Sequence, residues 1–211
     1  GNTVYKIIRV DKIIPAHTAT FENDYTQIQE AVQMLKQNEA IDAFLEDKIK
    51  GTMVSMGLCE AMNYSFESPK VFDKLNIPED SPLRNTVKIS NPLGEDFSIM
   101  RTLTLNGMLT SLATNFKRHR NEPAGLFEIG KVYIPKSLPL TELPCEYPTL
   151  TVGMFGADVD FYTVKGIVER LFSVLGIEGD YEANKELTYM HPGRTADVYA
   201  KSGTGNIRIG Y

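Results

Sequence analysis

Four short strings in this chain carry side chains whose types and spacing could do chemistry. In GTGNIR, Gly203 and Gly205 could bring bare backbone close to a nucleotide, with Arg208 on its triphosphate. In HPGR, His191 could act as an acid–base group beside an anion-binding Arg194. In FKRHR, residues 116 to 120, Lys117, Arg118 and Arg120 could contact phosphate. The fourth is SNPLGEDFSIMRTLTLNGMLTSL, residues 90 to 112, which sets Arg101 behind Glu95 and Asp96 and ahead of an amphipathic run.

Each string also has an ordinary structural explanation. An arginine that holds a triphosphate should begin a helix, but IRIGY alternates like a strand, so Arg208 is expected to face solvent beside a hairpin turn. Pro192-Gly193 makes a tight turn, with His191 and Arg194 fixing its edges, and no partner for catalysis stands out elsewhere. Cations at 117 to 120 complement the C-terminal end of a helix dipole. Glu95 and Asp96 suit the start of a helix, with Asp96 or Ser98 as its cap. Arg101 then falls in that helix's opening turn, where it could pair with Glu95 or Asp96 or reach a partner.

The elements that must position these groups follow from periodicity. A helical pattern runs from Tyr25 to Met56: Ile28, Val32 and Leu35, then Ile41, Leu45, Ile49, Met53 and Met56, closed by Gly57 as a left-handed cap. LCEAMNYSF, residues 58 to 66, suits a strand. Pro69, Pro78 and Pro82 make residues 67 to 85 a loop holding one short helix, Pro69 to Leu75. TVKIS is a short strand ended by Asn91-Pro92. Leu105, Leu109, Leu112 and Phe116 trace a helix face, and AGLFEIGKVYIP and YPTLTVGMFG read as buried strands. Asp160 caps a helix bearing Phe161, Val164, Val168, Leu171 and Leu175, closed by Gly176, and ADVYA and NIRIGY form a hairpin. Several strands follow one another through short connections, so the order predicts a mostly antiparallel sheet covered by long helices, an α+β fold rather than alternating α/β.

Composition limits the function classes. The chain has 211 residues, enough for a substantial core, and 42% of them are hydrophobic. A net charge of −5 argues against a surface that grips nucleic acid all over, though not against a local patch. Cys59 and Cys145 provide no disulfide framework and no metal-ligand spacing. No apolar stretch is long enough to cross a bilayer and no signal pattern opens the chain, so a cytoplasmic protein with reduced thiols is expected. Both ends read as cuts in a longer polypeptide.

MGLCEAMNYSF, NPLGEDFSIMRT, NFKRHRNEPAGLFEIGKVY, VDFYTVKGIVERLF and HPGRTADVY, in that order, resemble the core of the bacterial phenylalanine–tRNA ligase β-subunit family. IIRVDKIIPAH, residues 7 to 17, resembles the end of the family's preceding small B5 domain. The resemblance implies residues 1–24 as the end of that domain and a connector, and residues 25–211 as a catalytic-like core, truncated at its C-terminus. It implies a class II aminoacyl-tRNA synthetase-like antiparallel sheet flanked by long helices, and an (αβ)₂ tetramer using ATP and magnesium, whose active centre lies in α. The β core implied is non-catalytic and pairs with α. Ile41, Leu45, Ile49, Met53 and Met56, on the helix resembling motif 1, become subunit-interface candidates. Lys117, Arg118 and Arg120 become tRNA-contact candidates, and Gly203, Gly205 and Arg208 a weak nucleotide site.

The departures agree with a lost active site. The strand that should carry an F-R-x-E string looks like LFEIGKVY, which offers Glu128 and Lys131 but no arginine, so no catalytic residue is assigned. The B5 magnesium ligands align with Asn2, Tyr5 and Lys6, so no metal site and no cofactor bound by this chain are assigned. RVDKI and FGADVDFY are shorter than the family's pattern. The alternatives weighed are an independent class II ligase-like domain with its own nucleotide site, supported by GTGNIR, and a protein-interaction module with no ligase connection.

Overall fold

The computed structural model describes residues 18–118, 122–203 and 205–211. The segment resembling a B5 domain and residues 119–121 lie outside them. The chain divides into two compact units, Gly1–Leu45 and Glu46–Tyr211. Helix α1 is Phe21–Ser55, and its residues up to Leu45 belong to the first unit. Within that unit Val32, Leu35 and Ile41 are exposed, and Ile28 is partly covered.

The second unit opens with the rest of α1. Gly57 ends that helix at φ 84°, the left-handed position where a side chain would be strained, and its N–H reaches the Val54 carbonyl at 3.0 Å. Then follow β1 (Cys59–Glu60), β2 (Phe66–Glu67), α2 (Val71–Lys74), β3 (Ile99–Met100), α3 (Leu105–Arg118), β4 (Ala124–Ile134) and β5 (Cys145–Phe155). After these come α4 (Phe161–Leu175), β6 (Gly179–Ala183), β7 (Ala196–Ser202) and β8 (Gly205–Gly210). The unit is a mixed α+β arrangement.

β4 and β5 pair antiparallel over all eleven residues, from Ala124↔Phe155 to Ile134↔Cys145. The period of two divides this hairpin into two faces. Phe127, Leu150, Val152 and Met154 share one face, and there Met53 of α1, Leu58, and Ile167 and Leu171 of α4 close a core. Met53 and Phe127 are fully buried; each such side chain contributes about 1.5–3 kcal/mol. Leu126, Glu128 and Gly130, opposite Gly153, Thr151 and Thr149, make the other face. α3 covers it closely: a Cβ at Gly153 would meet Leu112 Cδ1 at 2.5 Å and Met108 Cγ at 3.0 Å.

α4 has the caps its sequence specifies. Asp160 accepts from the Thr163 N–H at 2.8 Å while Thr163 Oγ1 accepts from the Asp160 N–H, and Gly176 closes the helix at φ 69°. A second core gathers Val71, Phe72, Leu75, Ile77 and Ile99. Arg84 secures it by donating to the Ile77 and Pro78 carbonyls at 2.6 and 2.9 Å and to Asp73 at 2.7 Å. The short helix expected over Pro69–Leu75 is α2, shortened at both ends.

Several expectations are corrected. In place of one antiparallel sheet, the described residues form three: β1-β4-β5, β2-β3 and β6-β7-β8. β1 lies parallel to β4, which the long chain between them permits. LCEAMNYSF is not one strand. It leaves the edge of β4 after Ala61, whose N–H reaches the Phe127 carbonyl at 2.7 Å, and crosses to β3, where the Ser65 carbonyl accepts from the Arg101 N–H at 2.9 Å. TVKIS supplies only an isolated bridge, Lys88 to Ile99.

The largest correction concerns residues 95 to 104. No helix starts there: Glu95–Phe97 is a single 3₁₀ turn, and Ser98 Oγ donates back to the Glu95 carbonyl at 2.8 Å instead of capping. Arg101 is not in a helical turn. Its N–H is committed to the Ser65 carbonyl and its carbonyl to the Tyr133 N–H at 3.0 Å, so its backbone bridges Ser65 and β4. α3 begins at Leu105 and buries Met108 rather than Leu109, which is 45% exposed, because Met108 and Leu112 fill the notch at Gly153. Phe116 is likewise exposed, resting edge-on against Phe155.

Candidate functional site

Along residues 62 to 67, which bend at Ser65 and enter β2 at Phe66, exposure alternates strictly. Met62, Tyr64 and Phe66 are 94%, 75% and 41% exposed, while Asn63 and Ser65 are partly covered and Glu67 is buried. One ribbon thus presents three large apolar side chains to its surroundings and polar groups to the interior. The Tyr64 ring stands edge-on to Phe97 with centroids 5.8 Å apart, which restricts its orientation. Ahead of the ribbon, Lys50 near the end of α1 bonds both Glu46 and Glu60 at 2.9 Å, fastening helix to strand.

Behind the ribbon lies a buried polar network. Arg101 Nη1 donates to Glu128 Oε1 at 2.8 Å, and the two side chains are 3% and 4% exposed. Arg101 Nε donates to the Lys131 carbonyl at 2.8 Å. Glu128 Oε2 accepts from Asn63 Nδ2 at 2.7 Å, and Asn63 Oδ1 accepts from Ser111 Oγ at 2.7 Å. Glu67 Oε1 accepts from Asn106 Nδ2 at 3.0 Å. Burial pushes the Glu67 carboxyl above its ordinary range, against the opposing pull of the Asn106 bond and of the Arg101 and Lys74 charges. Gly130 makes room for the network, since a Cβ there would collide with the Arg101 guanidinium and stand 2.7 Å from Glu128 Oε1.

The chemistry of this network is structural. Its carboxylate and guanidinium neutralise each other in the interior, with Arg101 Nε also spent on the Lys131 carbonyl and Glu128 Oε2 on Asn63. Such a pair is strongly destabilising to break. Thr104 and Thr151 hydroxyls bond to each other along the same face.

The structure divides the interface candidates. Met53 is buried in the core, with Ile49 and Met56 packed against it, so these three hold their own fold together. Ile41 and Leu45, in the first unit, are 55% and 41% exposed. Lys117 and Arg118 are exposed in the last turn of α3, and Arg120 falls outside the described residues. Gly203 follows β7, and Gly205 opens β8 opposite Ser202. Arg208 lies on β8 with its guanidinium 2.6 Å from Asp197, an ion pair at a hairpin, and no helix starts there. In HPGR the Arg194 N–H bonds the His191 carbonyl at 3.0 Å, closing the turn. Among the described residues no three His, Cys, Asp or Glu side chains gather as metal ligands, and no helix is long and apolar enough to cross a membrane.

Sequence reasoning misses Met62, Tyr64 and Phe66, although the signal is present as an alternation with Asn63, Ser65 and Glu67. It places Glu128 on its strand but not the arginine that meets it, because that arginine comes from 27 residues earlier.

Residues 28–211 match the family model described as the phenylalanyl tRNA synthetase beta chain CLM domain. The phenylalanine–tRNA ligase beta subunit of Clostridium acetobutylicum is 51% identical over 159 residues, covering 75% of this chain and 20% of that protein. That of Clostridium tetani is 48% identical over 165 residues, covering 78% and 20%, and that of Moorella thermoacetica 37% over 167 residues, covering 75% and 20%. The chain therefore spans about a fifth (20%) of the length of these relatives. A match over so much of the chain is decisive: it belongs to the phenylalanyl tRNA synthetase beta chain CLM domain family.

Proposed function

We propose that this chain is a non-catalytic core of a phenylalanine–tRNA ligase beta subunit, whose role is to dock the alpha subunit. In the assembled (αβ)₂ enzyme the alpha subunit carries the active centre and, with ATP and magnesium, attaches phenylalanine to its tRNA in the cytoplasm. The core has the descent of a class II synthetase domain and keeps its assembly function. The observation that carries this reading is the ribbon 62–67, with its polar side chains spent on the interior and Met62, Tyr64 and Phe66 facing outward. An exposed row of large apolar and aromatic groups, held by a rigid network, is what a partner surface requires.

The absence of catalysis is supported by Glu128 and Arg101, which occupy each other. ATP and magnesium are requirements of the holoenzyme, and no residue of this chain is assigned to them. tRNA contact by the core is proposed through Lys117, Arg118 and Arg120. The test is phenylalanine-dependent ATP–pyrophosphate exchange with the full-length beta chain, its alpha partner and the two together. Exchange is expected only when alpha is present. Exchange by the beta chain alone, lost on Arg208→Ala, would establish the independent nucleotide site instead.

A further inference from the structure

The backbone that carries Met62 and Tyr64 is not held by a strand ladder. The Ala61 N–H bonds the Phe127 carbonyl, and the Ser65 carbonyl accepts from the Arg101 N–H. Between them, among the described residues, Met62, Asn63 and Tyr64 form no backbone–backbone bond. The firmest hold on these three is the Asn63 side chain. Its Nδ2 donates to Glu128 Oε2 and its Oδ1 accepts from Ser111 Oγ, both at 2.7 Å. The amide cannot be reversed, because the Glu128 carboxylate, paired with Arg101, only accepts. Helix α3 also closes on this residue. A Cβ at Gly107 would stand 2.8 Å from Asn63 Cβ, so the lack of a side chain there lets helix and ribbon touch. A second clip holds Glu67, to which Asn106 donates its Nδ2 while taking Lys74 Nζ on its Oδ1 at 3.1 Å. Both clips land on the first half of α3.

We propose that Asn63 is the positioning residue of the docking ribbon: through Glu128, Ser111 and the notch at Gly107 it presets Met62 and Tyr64 in the arrangement that the alpha subunit meets. This rests on the reading that the ribbon docks alpha. The amide of Asn63 is itself spent inside the protein, so it acts through its neighbours. Exposure alternates along the ribbon, and holding Asn63 inward holds Met62 and Tyr64 outward together. A preset pair spares the complex the cost of ordering two side chains and the chain between them on binding. Asparagine suits the place because it both donates and accepts. Aspartate, of the same shape, has no donor and would set a second carboxylate against Glu128.

The test measures association of the full-length beta chain with alpha for two variants. Asn63→Asp breaks the clip without changing its shape. Gly107→Ala pushes on Asn63 Cβ while favouring the helix it sits in. Each should weaken association about tenfold. A thermodynamic cycle separates positioning from stability. In a chain already carrying Met62→Ala and Tyr64→Ala those two side chains are no longer there to aim, and Asn63→Asp should cost less than about twofold. The same loss in both backgrounds would mark Asn63 as structural only and overturn the proposal. Unchanged association of Asn63→Asp and Gly107→Ala, beside a loss for Met62→Ala, Tyr64→Ala, would also overturn it while leaving the docking reading in place. No loss for Met62→Ala, Tyr64→Ala would remove the docking reading, and the proposal with it.

Discussion

Arg101 and Glu128 meet at 2.8 Å in the interior, 27 residues apart in sequence, and their pairing fixes three pieces of chain at once. Arg101 reaches back to the Lys131 carbonyl of β4, while Glu128 holds Asn63 of the exposed ribbon. Removing the cation leaves a buried carboxylate uncompensated. Arg101→Met should therefore destabilise the full-length chain by about 3–5 kcal/mol, read from urea unfolding. The double variant Arg101→Met, Glu128→Met should lose less than the sum of the two single changes. Strict additivity would show that the pair is not coupled.

Gly130 is where the network leaves no space. Alanine there needs the Arg101 guanidinium to move, and the guanidinium is held at two ends. A loss of about 1–3 kcal/mol is expected for Gly130→Ala, the range for overpacking. Gly166, in contrast, sits on an exposed part of α4, and a Cβ added there would meet nothing within 4 Å. Gly166→Ala should be neutral or stabilising, by up to about 1 kcal/mol.

How much of this is legible in the sequence depends on range. The β4–β5 pair, α4 with its Asp160 cap and Gly176 stop, and the β7–β8 hairpin are fixed by neighbours in sequence, and period and capping chemistry reveal them. Arg101 is misplaced by local reasoning because Glu95, Asp96 and Ser98 imitate a helix start, and only the long-range bonds of Arg101 to Ser65 and Tyr133 forbid one. The apolar stripe of α1 supplies interface candidates only through the resemblance, because a helical stripe does not say what covers it. Met53 meets Phe127 in the core, and Ile41 meets solvent. The parallel β1–β4 pairing joins Cys59 to Leu126, a separation beyond any local pattern.

Glu67 gives the fold a pH dependence. Its carboxyl is raised above the unfolded value of 4.5, chiefly by burial, so the folded state holds the proton more tightly than the unfolded one. Its contribution to stability is present below pH 4.5 and is lost as pH rises through the folded value. The groups facing it are Asn106, Arg101, Lys74 and Glu128. Glu67→Gln can keep the Asn106 bond through its amide oxygen and removes the titration. The variant should gain stability relative to wild type as pH rises above 4.5, measured by unfolding at a series of pH values. Parallel pH profiles would remove Glu67 as the source.

The outward side of the ribbon should matter to the partner and not to the fold. Met62→Asp and Tyr64→Asp change exposed side chains while leaving Asn63 and Glu67 in place. The full-length beta chain should keep its unfolding midpoint, and its association with alpha should weaken at least about tenfold for the pair of changes. Ile49→Asp, which inserts a charge beside the Met53 core, should instead lower the unfolding midpoint. Unaltered alpha binding by Met62→Asp, Tyr64→Asp would exclude the ribbon as the docking surface.

The last prediction concerns RNA. Lys117 and Arg118 stand exposed at the C-terminal end of α3, where the helix dipole already accounts for their presence. If they also touch a tRNA backbone, charge reversal removes two phosphate contacts and introduces repulsion. Lys117→Glu, Arg118→Glu in the holoenzyme should then reduce tRNA affinity roughly tenfold or more at low salt. The slope of log affinity against log salt should also shrink by about one to two. ATP–pyrophosphate exchange, which needs no tRNA, should be unchanged in the same preparation. An unaltered tRNA affinity with an unaltered salt slope would leave these cations with the helix dipole alone.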